Sequence, residues 1–279
     1  MARNFSSRKS GFGNFSHTQG RTGSGAGRTP RDRARRELSQ NFLADPRAAD
    51  LLIKAADPAG TVLEPGAGDG VITRALAEAG ARVVAYEIDP LLTAKLKARL
   101  RDHAAVRVVR GDFTKARPPG EPFAVVGNIP FSVTAGIVAW CLRAPHLTSA
   151  TLVTQLEYAR KRTGGYGRWS RLTASTWPWF TWDLAGRIGR ESFRPVPAVD
   201  SGVLRIRRRP DPLVADPQAF ADLVELGFTG VGGTLRASLR TRYAGVDAAL
   251  AAAGIAPDTV VAFVHPDQWV ALYEALPHP

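Results

Sequence analysis

Apolar residues follow two alternating periodicities along the chain from Thr61 onward. Short runs rich in β-branched residues predict strands, and apolar residues at helical spacing predict helices between them. The predicted strands are Thr61–Glu64, Arg82–Glu87, Val106–Arg110, Phe123–Gly127, Ala150–Gln155, Trp179–Ile188 and Ser201–Arg207. The predicted helices between them are Val71–Ala79, Pro90–Arg101 and Thr134–Arg143. This alternation predicts an α/β fold, a mostly parallel Rossmann-like sheet with helices on both faces.

The strand pattern ends at Pro210, and the remaining residues have helical spacing only. The predicted helices there are Pro217–Phe228, Gly233–Tyr243, Val246–Ala253 and Pro266–Leu276. The sequence therefore predicts an α/β domain over residues 37–209 and a small all-helical C-terminal domain over residues 210–279.

Positive charge is concentrated at the N-terminus. Residues 1–36 hold nine Lys or Arg against one acid, Asp32, whereas the whole chain has a formal net charge of +12. This segment is rich in Gly and Ser and has no hydrophobic periodicity, so burial cannot offset its ordering entropy. We expect a disordered basic tail that attracts the phosphates of a nucleic acid.

Composition also limits where the protein acts. The single cysteine, Cys141, rules out a disulfide framework and is typical of a reducing compartment. The five histidines lack ligand spacing, and no apolar run is long enough to span a bilayer. We therefore expect a cytoplasmic monomer that uses neither a metal nor a membrane.

Acidic residues and glycines lie at the ends of three successive predicted strands. The first strand is followed by Glu64-Pro-Gly-Ala-Gly-Asp-Gly70, in which glycines let a ligand approach the backbone closely. Glu87 ends the second strand and can accept both hydroxyls of a ribose, and Asp112 follows the third. The glycine spacing differs from the dinucleotide pattern, which argues against NAD. These residues predict a site for a nucleoside-type cofactor.

The segment Asn128-Ile129-Pro130-Phe131 follows the fourth predicted strand. An exocyclic adenine amine is a poor nucleophile because its lone pair is delocalised into the ring. The side-chain oxygen of Asn128 and the carbonyl of Ile129 can accept both N–H groups, which aims the lone pair at a methyl donor. Pro130 makes the turn rigid, and Phe131 can stack on an extruded base. We predict that these four residues form the catalytic loop.

Taken together, these motifs resemble those of the rRNA adenine N6-methyltransferases, which include the erythromycin-resistance (Erm) enzymes and the small-subunit dimethyladenosine transferases. The resemblance extends from about Arg35 to the C-terminus. The matching motifs are Gln40–Leu43, Glu64–Gly70, Tyr86–Asp89, Gly111–Phe113, Asn128–Phe131 and Phe193–Ser201. The resemblance implies S-adenosyl-L-methionine (SAM) as the methyl donor, a methyltransferase sheet and a helical C-terminal domain.

The resemblance also implies which residues hold the cofactor. Asn41 and Leu43 are expected to contact its methionine end, and Gly66 to approach it closely. Glu87 and Ile88 are expected to hold the ribose and the adenine.

Further positions follow from the same resemblance. Asp112 and Phe113 are expected to bind the adenine of the cofactor, and Asn128 to lie between cofactor and target. Phe131 is expected to hold the target base, with Phe193 as a second aromatic wall. Phe131 stands where the family more often has tyrosine, so stacking is kept and any role of a hydroxyl is lost.

Within the family, the stretch from Val153 to Arg171 is similar to that of actinomycete Erm enzymes. It interleaves basic and aromatic side chains, a composition suited to phosphates and unpaired bases. The residues expected to bind RNA are Arg160, Lys161, Arg162, Tyr166, Arg168 and Trp169, in addition to Phe193. The resemblance implies free or precursor 23S rRNA as the substrate, and resistance to macrolide-type antibiotics as the result.

Two alternatives remain open at this point. One is a 16S rRNA dimethyladenosine transferase that acts in small-subunit biogenesis. The other is a non-catalytic RNA-binding factor on the same fold, although the coexistence of Glu87, Asp112 and Asn128 argues against it.

Overall fold

A central sheet of seven strands forms the framework of the computed structural model, which describes residues 41–277. The predicted basic tail, residues 1–36, lies outside the described residues. The nine described strands are β1 (Phe42–Leu43), β2 (Thr61–Pro65), β3 (Arg82–Glu87), β4 (Val106–Arg110), β5 (Phe123–Asn128), β6 (Leu147–Gln155), β7 (Phe180–Ile188), β8 (Phe193–Arg194) and β9 (Ser201–Arg208). Strands β1 and β8 form a separate two-stranded ladder.

Ten α-helices surround the sheet and continue beyond it within residues 41–277. They are α1 (Pro46–Ala56), α2 (Val71–Glu78), α3 (Pro90–Arg99), α4 (Thr134–Arg143), α5 (Leu156–Arg162), α6 (Arg171–Thr176), α7 (Pro217–Gly227), α8 (Leu235–Leu239), α9 (Val246–Ala252) and α10 (Pro266–Ala275). None of the helices in this part of the chain is long and apolar enough to cross a membrane.

Three of the helices begin at an Asp-Pro pair. Asp45, Asp89 and Asp216 precede α1, α3 and α7, and each carboxylate accepts a backbone N–H of the first turn. The proline that follows has no N–H to satisfy and a φ angle already suited to a helix. These pairs fix where the helices start.

The strand order of the sheet is β4-β3-β2-β5-β6-β9-β7. Strands β2 to β6 are all parallel, whereas β9 runs antiparallel to both β6 and β7. The chain first adds strands on one side of β2 and then places β5 on its other side. Open α/β sheets bind ligands at such a reversal, at the carboxyl ends of the two strands. The loops after Pro65 and Asn128 meet there.

Three apolar cores hold these layers together. One lies between the sheet and α1 and α2, where Leu52 and Leu76 are fully buried. The second covers the opposite face beneath α4. The third lies among the C-terminal helices and contains Phe220 and Trp269, as well as Ala174 of α6. The predicted domain boundary at residue 210 stays a prediction. Ala174 of α6, which comes before that boundary, packs into the third core.

The α/β class and the helical C-terminal region are confirmed, and each predicted strand is present with small shifts in its ends. The prediction of a helix over Gly233–Tyr243 was too long. Gly230, Gly232 and Gly233 have positive φ, and the helix starts only after Thr234, whose hydroxyl accepts from the Ala237 N–H. The periodicity of the sequence does not indicate β1, β8, α1, α5 or α6.

Candidate active site

The turn after β2 is built for close approach of a ligand to the backbone. Gly66 and Gly68 both have positive φ, +70° and +54°, a conformation that side chains with a Cβ rarely adopt. A Cβ on Gly68 would lie 2.8 Å from Cε1 of Phe42. The turn can therefore pass under the Phe42 ring only because residue 68 is glycine.

Glu87 at the end of β3 is hydrogen-bonded to this turn. Its Oε2 accepts the N–H of Gly68 at 2.8 Å, and its Oε1 accepts the N–H of Asp89 at 2.8 Å. The side chain is buried. An ionised carboxylate offers about four acceptor positions, so two remain for a ligand such as a ribose.

Glu64 at the end of β2 is a second buried carboxyl beside the same turn. The hydroxyl of Thr73 donates to its Oε2 at 2.6 Å. Burial raises the pKa of Glu64 to about 8, and the nearby charge of Glu87 adds to this increase, while the Thr73 hydrogen bond opposes it. At neutral pH the Glu64 side chain is therefore mostly uncharged.

Asn128 at the end of β5 is held in one orientation. Its Nδ2 donates to the backbone carbonyl of Asn41 at 2.7 Å, and a carbonyl can only accept. The Oδ1 atom must therefore point the other way, as an acceptor for a ligand. Gly127 allows β5 to lie this close to β2, since a Cβ there would be 2.9 Å from the carbonyl oxygen of Pro65.

These elements surround one small cleft, about 30 Å³ in volume, which opens to solvent. It is lined by Asn41, Phe42, Gly66, Gly68, Glu87, Asn128, Ile129, Pro130 and Phe131. All four residues predicted for the catalytic loop are among them, together with three predicted for the cofactor besides Asn128. Phe42 and Gly68 were not predicted individually, although both lie within the motifs Gln40–Leu43 and Glu64–Gly70.

The remaining residues predicted to bind the cofactor lie near the cleft without lining it. Ile88 is half exposed directly after Glu87. Asp112 lies beside it, because Gly111 donates to the carbonyl of Glu87 at 3.0 Å. One oxygen of Asp112 accepts from both the N–H and the hydroxyl of Thr114.

Phe113 and Leu43 are buried rather than open to a ligand. Phe113 packs edge-on against Tyr86 at 5.4 Å between ring centroids and lies 4.5 Å from Trp140. Leu43 pairs with Phe193 in the ladder of β1 and β8. Both can support the cofactor site from behind.

The structure does not support Phe193 as a second aromatic wall. Its side chain has no exposed surface, and it belongs to the core beneath α1 and α2. The pairing of β8 with β1 turns this ring inward and leaves the neighbouring Arg194 exposed. A base cannot stack on a ring that other side chains cover completely.

The predicted RNA-binding residues lie on α5 and the loop after it. Lys161, Tyr166 and Arg168 are exposed, and the guanidinium of Arg160 lies 5.9 Å from the centre of the Tyr166 ring. Arg162 turns inward instead, where it donates to Ser170 and lies over Tyr158.

Trp169 is also partly covered. Its ring contacts Trp177 and His265, at 5.6 and 4.8 Å between ring centroids. These contacts leave it less open to RNA than Tyr166.

The fold and the cleft together define a class of protein. A parallel sheet with a glycine turn and an acidic residue at adjacent strand ends suits a nucleoside-type cofactor. The fixed Asn128 amide beside a partly exposed phenyl ring suits an amine on a planar base. Within residues 41–277, no cluster of three or more His, Cys, Asp or Glu side chains could hold a metal ion.

Comparison with known proteins agrees with this class. A sequence model of the family named ribosomal RNA adenine dimethylase matches residues 31–277. An rRNA adenine N-6-methyltransferase of Streptomyces fradiae is 56% identical over 253 residues, which cover 88% of this chain and 79% of the relative. The mycinamicin-resistance protein MyrB of Micromonospora griseorubida is 39% identical over 88% of this chain and 80% of its own length.

A solved structure gives the same result. The crystal structure of the 23S rRNA methyltransferase ErmE matches with a TM-score of 0.82 and 49% identity, over 85% of this chain and 99% of that one. The chain belongs to the ribosomal RNA adenine dimethylase family of SAM-dependent methyltransferases. The family and the enzyme class predicted from the sequence are confirmed.

Proposed function

We propose that this enzyme transfers a methyl group from SAM to the N6 amine of an adenine in 23S rRNA, and that this modification gives resistance to macrolide-type antibiotics. The observation that carries the proposal is the orientation of Asn128, whose Nδ2 is bound to Asn41 so that Oδ1 faces the ligand side. The proposal is supported by similarity to ErmE, described as a 23S rRNA methyltransferase, and to a mycinamicin-resistance protein.

The residues of the cleft fit the cofactor. Glu87 has acceptor positions left for the ribose hydroxyls after it binds Gly68 and Asp89. Gly66 leaves the backbone of the turn bare, and Ile88 and Asp112 flank Glu87 where an adenine would extend from the ribose. Bound SAM would supply a methyl group made electrophilic by its attachment to a positively charged sulfur.

The catalytic loop would prepare the amine. Asn128 Oδ1 and the Ile129 carbonyl each accept one N–H of the adenine amine, so that its lone pair points at the methyl carbon. With bound SAM as the methyl donor, the amine nitrogen would gain the methyl group and lose one proton to solvent, while Asn128 Oδ1 and the Ile129 carbonyl hold the amine in place. Phe131 lies beside this position and would stack on the base.

The neutral state of Glu64 contributes to this arrangement. A negative charge on Glu64 would repel the Glu87 carboxylate and weaken its hydrogen bond to the glycine turn. Because burial raises the pKa of Glu64 to about 8, Glu64 holds a proton at neutral pH and adds no such charge beside Glu87.

A transfer assay tests the proposal. Purified enzyme and SAM labelled on the methyl group are incubated separately with protein-free 23S rRNA, assembled 50S particles, protein-free 16S rRNA and 30S particles. We expect label in the free 23S rRNA and little in 50S particles, since assembly buries the target adenine. Expression in a sensitive bacterium should raise the inhibitory concentration of a macrolide.

The assay also separates the alternatives. Label in the 16S rRNA of 30S particles without macrolide resistance would contradict the proposal and favour the small-subunit dimethyladenosine transferase. Transfer to no rRNA, together with no SAM binding in calorimetry, would favour the non-catalytic factor.

A further inference from the structure

A loop of the C-terminal region packs against the predicted RNA-binding segment. The N–H of Trp169 donates to the carbonyl of Ala262 at 2.7 Å. The Trp169 ring contacts His265 on the same loop, and Gly164 leaves room for that ring, since a Cβ there would lie 2.5 Å from it. The loop over residues 260–265 is therefore a fixed neighbour of the segment after α5.

The far end of this loop is fixed as well. His265 caps α10: its Nδ1 accepts from the Asp267 N–H, and its own N–H donates to Gln268. The Asp267 carboxylate also has a partner, since it accepts a hydrogen bond from the indole N–H of Trp177 at 2.6 Å. Such pre-organisation reduces the entropy that a binding surface loses when it takes up a ligand.

The fixed loop presents an aromatic side chain to solvent. Phe263 keeps 50% of its surface exposed, and the guanidinium of Arg168 lies 5.2 Å from the centre of its ring. Tyr166, two residues before Arg168, is also 50% exposed and has Arg160 beside its ring. Two half-exposed aromatic rings, each with an arginine beside it, thus lie on the two segments that Trp169 joins.

The charge at this surface is available to a partner. Among the described residues, neither Lys161 nor Arg168 forms an ion pair with an acidic side chain, and both are exposed. Open rings beside free cations are the combination that binds single-stranded nucleic acid, because the ring stacks on a base and the cation binds phosphate.

We propose that Phe263, with Tyr166 and Arg168, forms a second RNA contact of the enzyme, on which an unpaired nucleotide of the substrate stacks. Lys161 and Arg168 bind the adjoining phosphates. Trp169 is a positioning residue in this surface, since it joins the two segments and does not itself meet the RNA. The proposal rests on the RNA substrate proposed above, and it gives the C-terminal region a part in holding that substrate.

The test compares variants of the full chain. Phe263→Ala, Phe263→Tyr and Val260→Ala are measured for binding to protein-free 23S rRNA and to a single-stranded RNA oligonucleotide. Val260 is a matched control because it lies on the same loop and is also 50% exposed, but it has no ring. We expect Phe263→Ala to weaken binding to both RNAs about 5-fold or more. Phe263→Tyr and Val260→Ala should stay within about 2-fold of wild type.

Salt dependence separates stacking from charge. Phe263→Ala should leave the slope of log K against log salt unchanged, because it removes no cation. Arg168→Gln should reduce that slope by about 0.7 for single strands. SAM affinity should be the same in all variants, since none of them lies in the cleft.

Several outcomes would overturn the proposal. Equal losses for Phe263→Ala and Val260→Ala would show that the loop acts only through its shape. If Phe263→Ala binds RNA as wild type does but binds a precursor particle more weakly, the surface would be assigned to a protein partner. If Phe263→Ala does not fold, the RNA affinities of Phe263→Leu and Phe263→Tyr are compared instead. Both side chains fill the site, but only tyrosine keeps a ring. Equal RNA binding by these two variants would reject stacking.

Failure of the second RNA contact can be distinguished from failure of the proposed function. RNA binding is measured without SAM. If the wild-type protein binds RNA but transfers no methyl group, only the methyltransferase proposal is rejected. Normal methylation of 23S rRNA by Phe263→Ala, with unchanged RNA affinity, would reject only the second contact. If the contact exists, Phe263→Ala should raise KM for RNA and leave kcat near its wild-type value.

Discussion

Replacement of Glu64 by glutamine tests whether this buried carboxyl is neutral in the folded protein. Burial raises its pKa from 4.5 to about 8. In the unfolded chain Glu64 releases its proton near pH 4.5, whereas the folded protein keeps the proton up to about pH 8. Stability is therefore lost as pH rises through this window, because the folded state binds the extra proton. Glutamine has the same shape and no proton to lose.

The expected magnitude follows from the difference in pKa. A shift from 4.5 to about 8 corresponds to on the order of 5 kcal/mol when the window is crossed completely, at about 1.4 kcal/mol per pKa unit. About 2 kcal/mol of this falls between pH 6.5 and pH 9, where the folded protein itself releases the proton. Glutamine should cost little at the lower pH, since its carbonyl can still accept from Thr73.

The assay is urea unfolding of wild type and Glu64→Gln at pH 6.5 and pH 9. The difference in unfolding free energy should move in favour of the variant by about 2 kcal/mol between these values. The control is Glu121→Gln, which replaces an exposed carboxylate paired with Arg82 at 3.6 Å and should show no such change. A Glu64→Gln difference that is the same at both pH values, or that moves against the variant at pH 9, would refute the reasoning.

Three further predictions concern the cleft and the tail. Gly68→Ala should lower SAM affinity in calorimetry because its Cβ meets Phe42, whereas Gly80→Ala, also at positive φ but with open space around it, should leave SAM affinity unchanged; equal SAM affinity in both would reject the role of the turn. Phe131→Ala should lower kcat/KM for rRNA about 5- to 150-fold through lost stacking, with Phe131→Tyr tolerated; full activity of Phe131→Ala would place the base elsewhere. Deletion of residues 1–36 should weaken RNA binding and flatten its salt dependence at unchanged SAM affinity; identical salt slopes with and without the tail would refute its contact with RNA.

The sheet and the catalytic loop could be predicted because their determinants are local. Each parallel strand is a short apolar run that is visible in the sequence itself, as in β2 and β5, where Leu63 lies opposite Val125. Glu87 and Asn128 end their strands, so the topology of an open sheet brings them to one edge. The helix α1 could also have been found, since Asp45-Pro46 is a regular start for a helix.

Other features depend on contacts between distant parts of the chain. Strands β1 and β8 have two residues each, too few to show alternation, and they pair Phe42 with Arg194, which is far from it in the sequence. That pairing buries Phe193, which the motif alone placed at the site. The bond between Asn128 and Asn41 joins residues 87 positions apart, and no periodicity reveals it.

Mass spectrometry of rRNA from a macrolide-sensitive bacterium can show whether this enzyme methylates an adenine of 23S rRNA. Cells expressing wild type or Asn128→Ala are compared, after calorimetry has shown that the variant still binds SAM. We expect an N6-methylated adenine in 23S rRNA with wild type, and a loss of at least about 100-fold in methyl-transfer rate with the variant. Equal methylation by both proteins, or methylation found in 16S rRNA instead, would contradict this expectation.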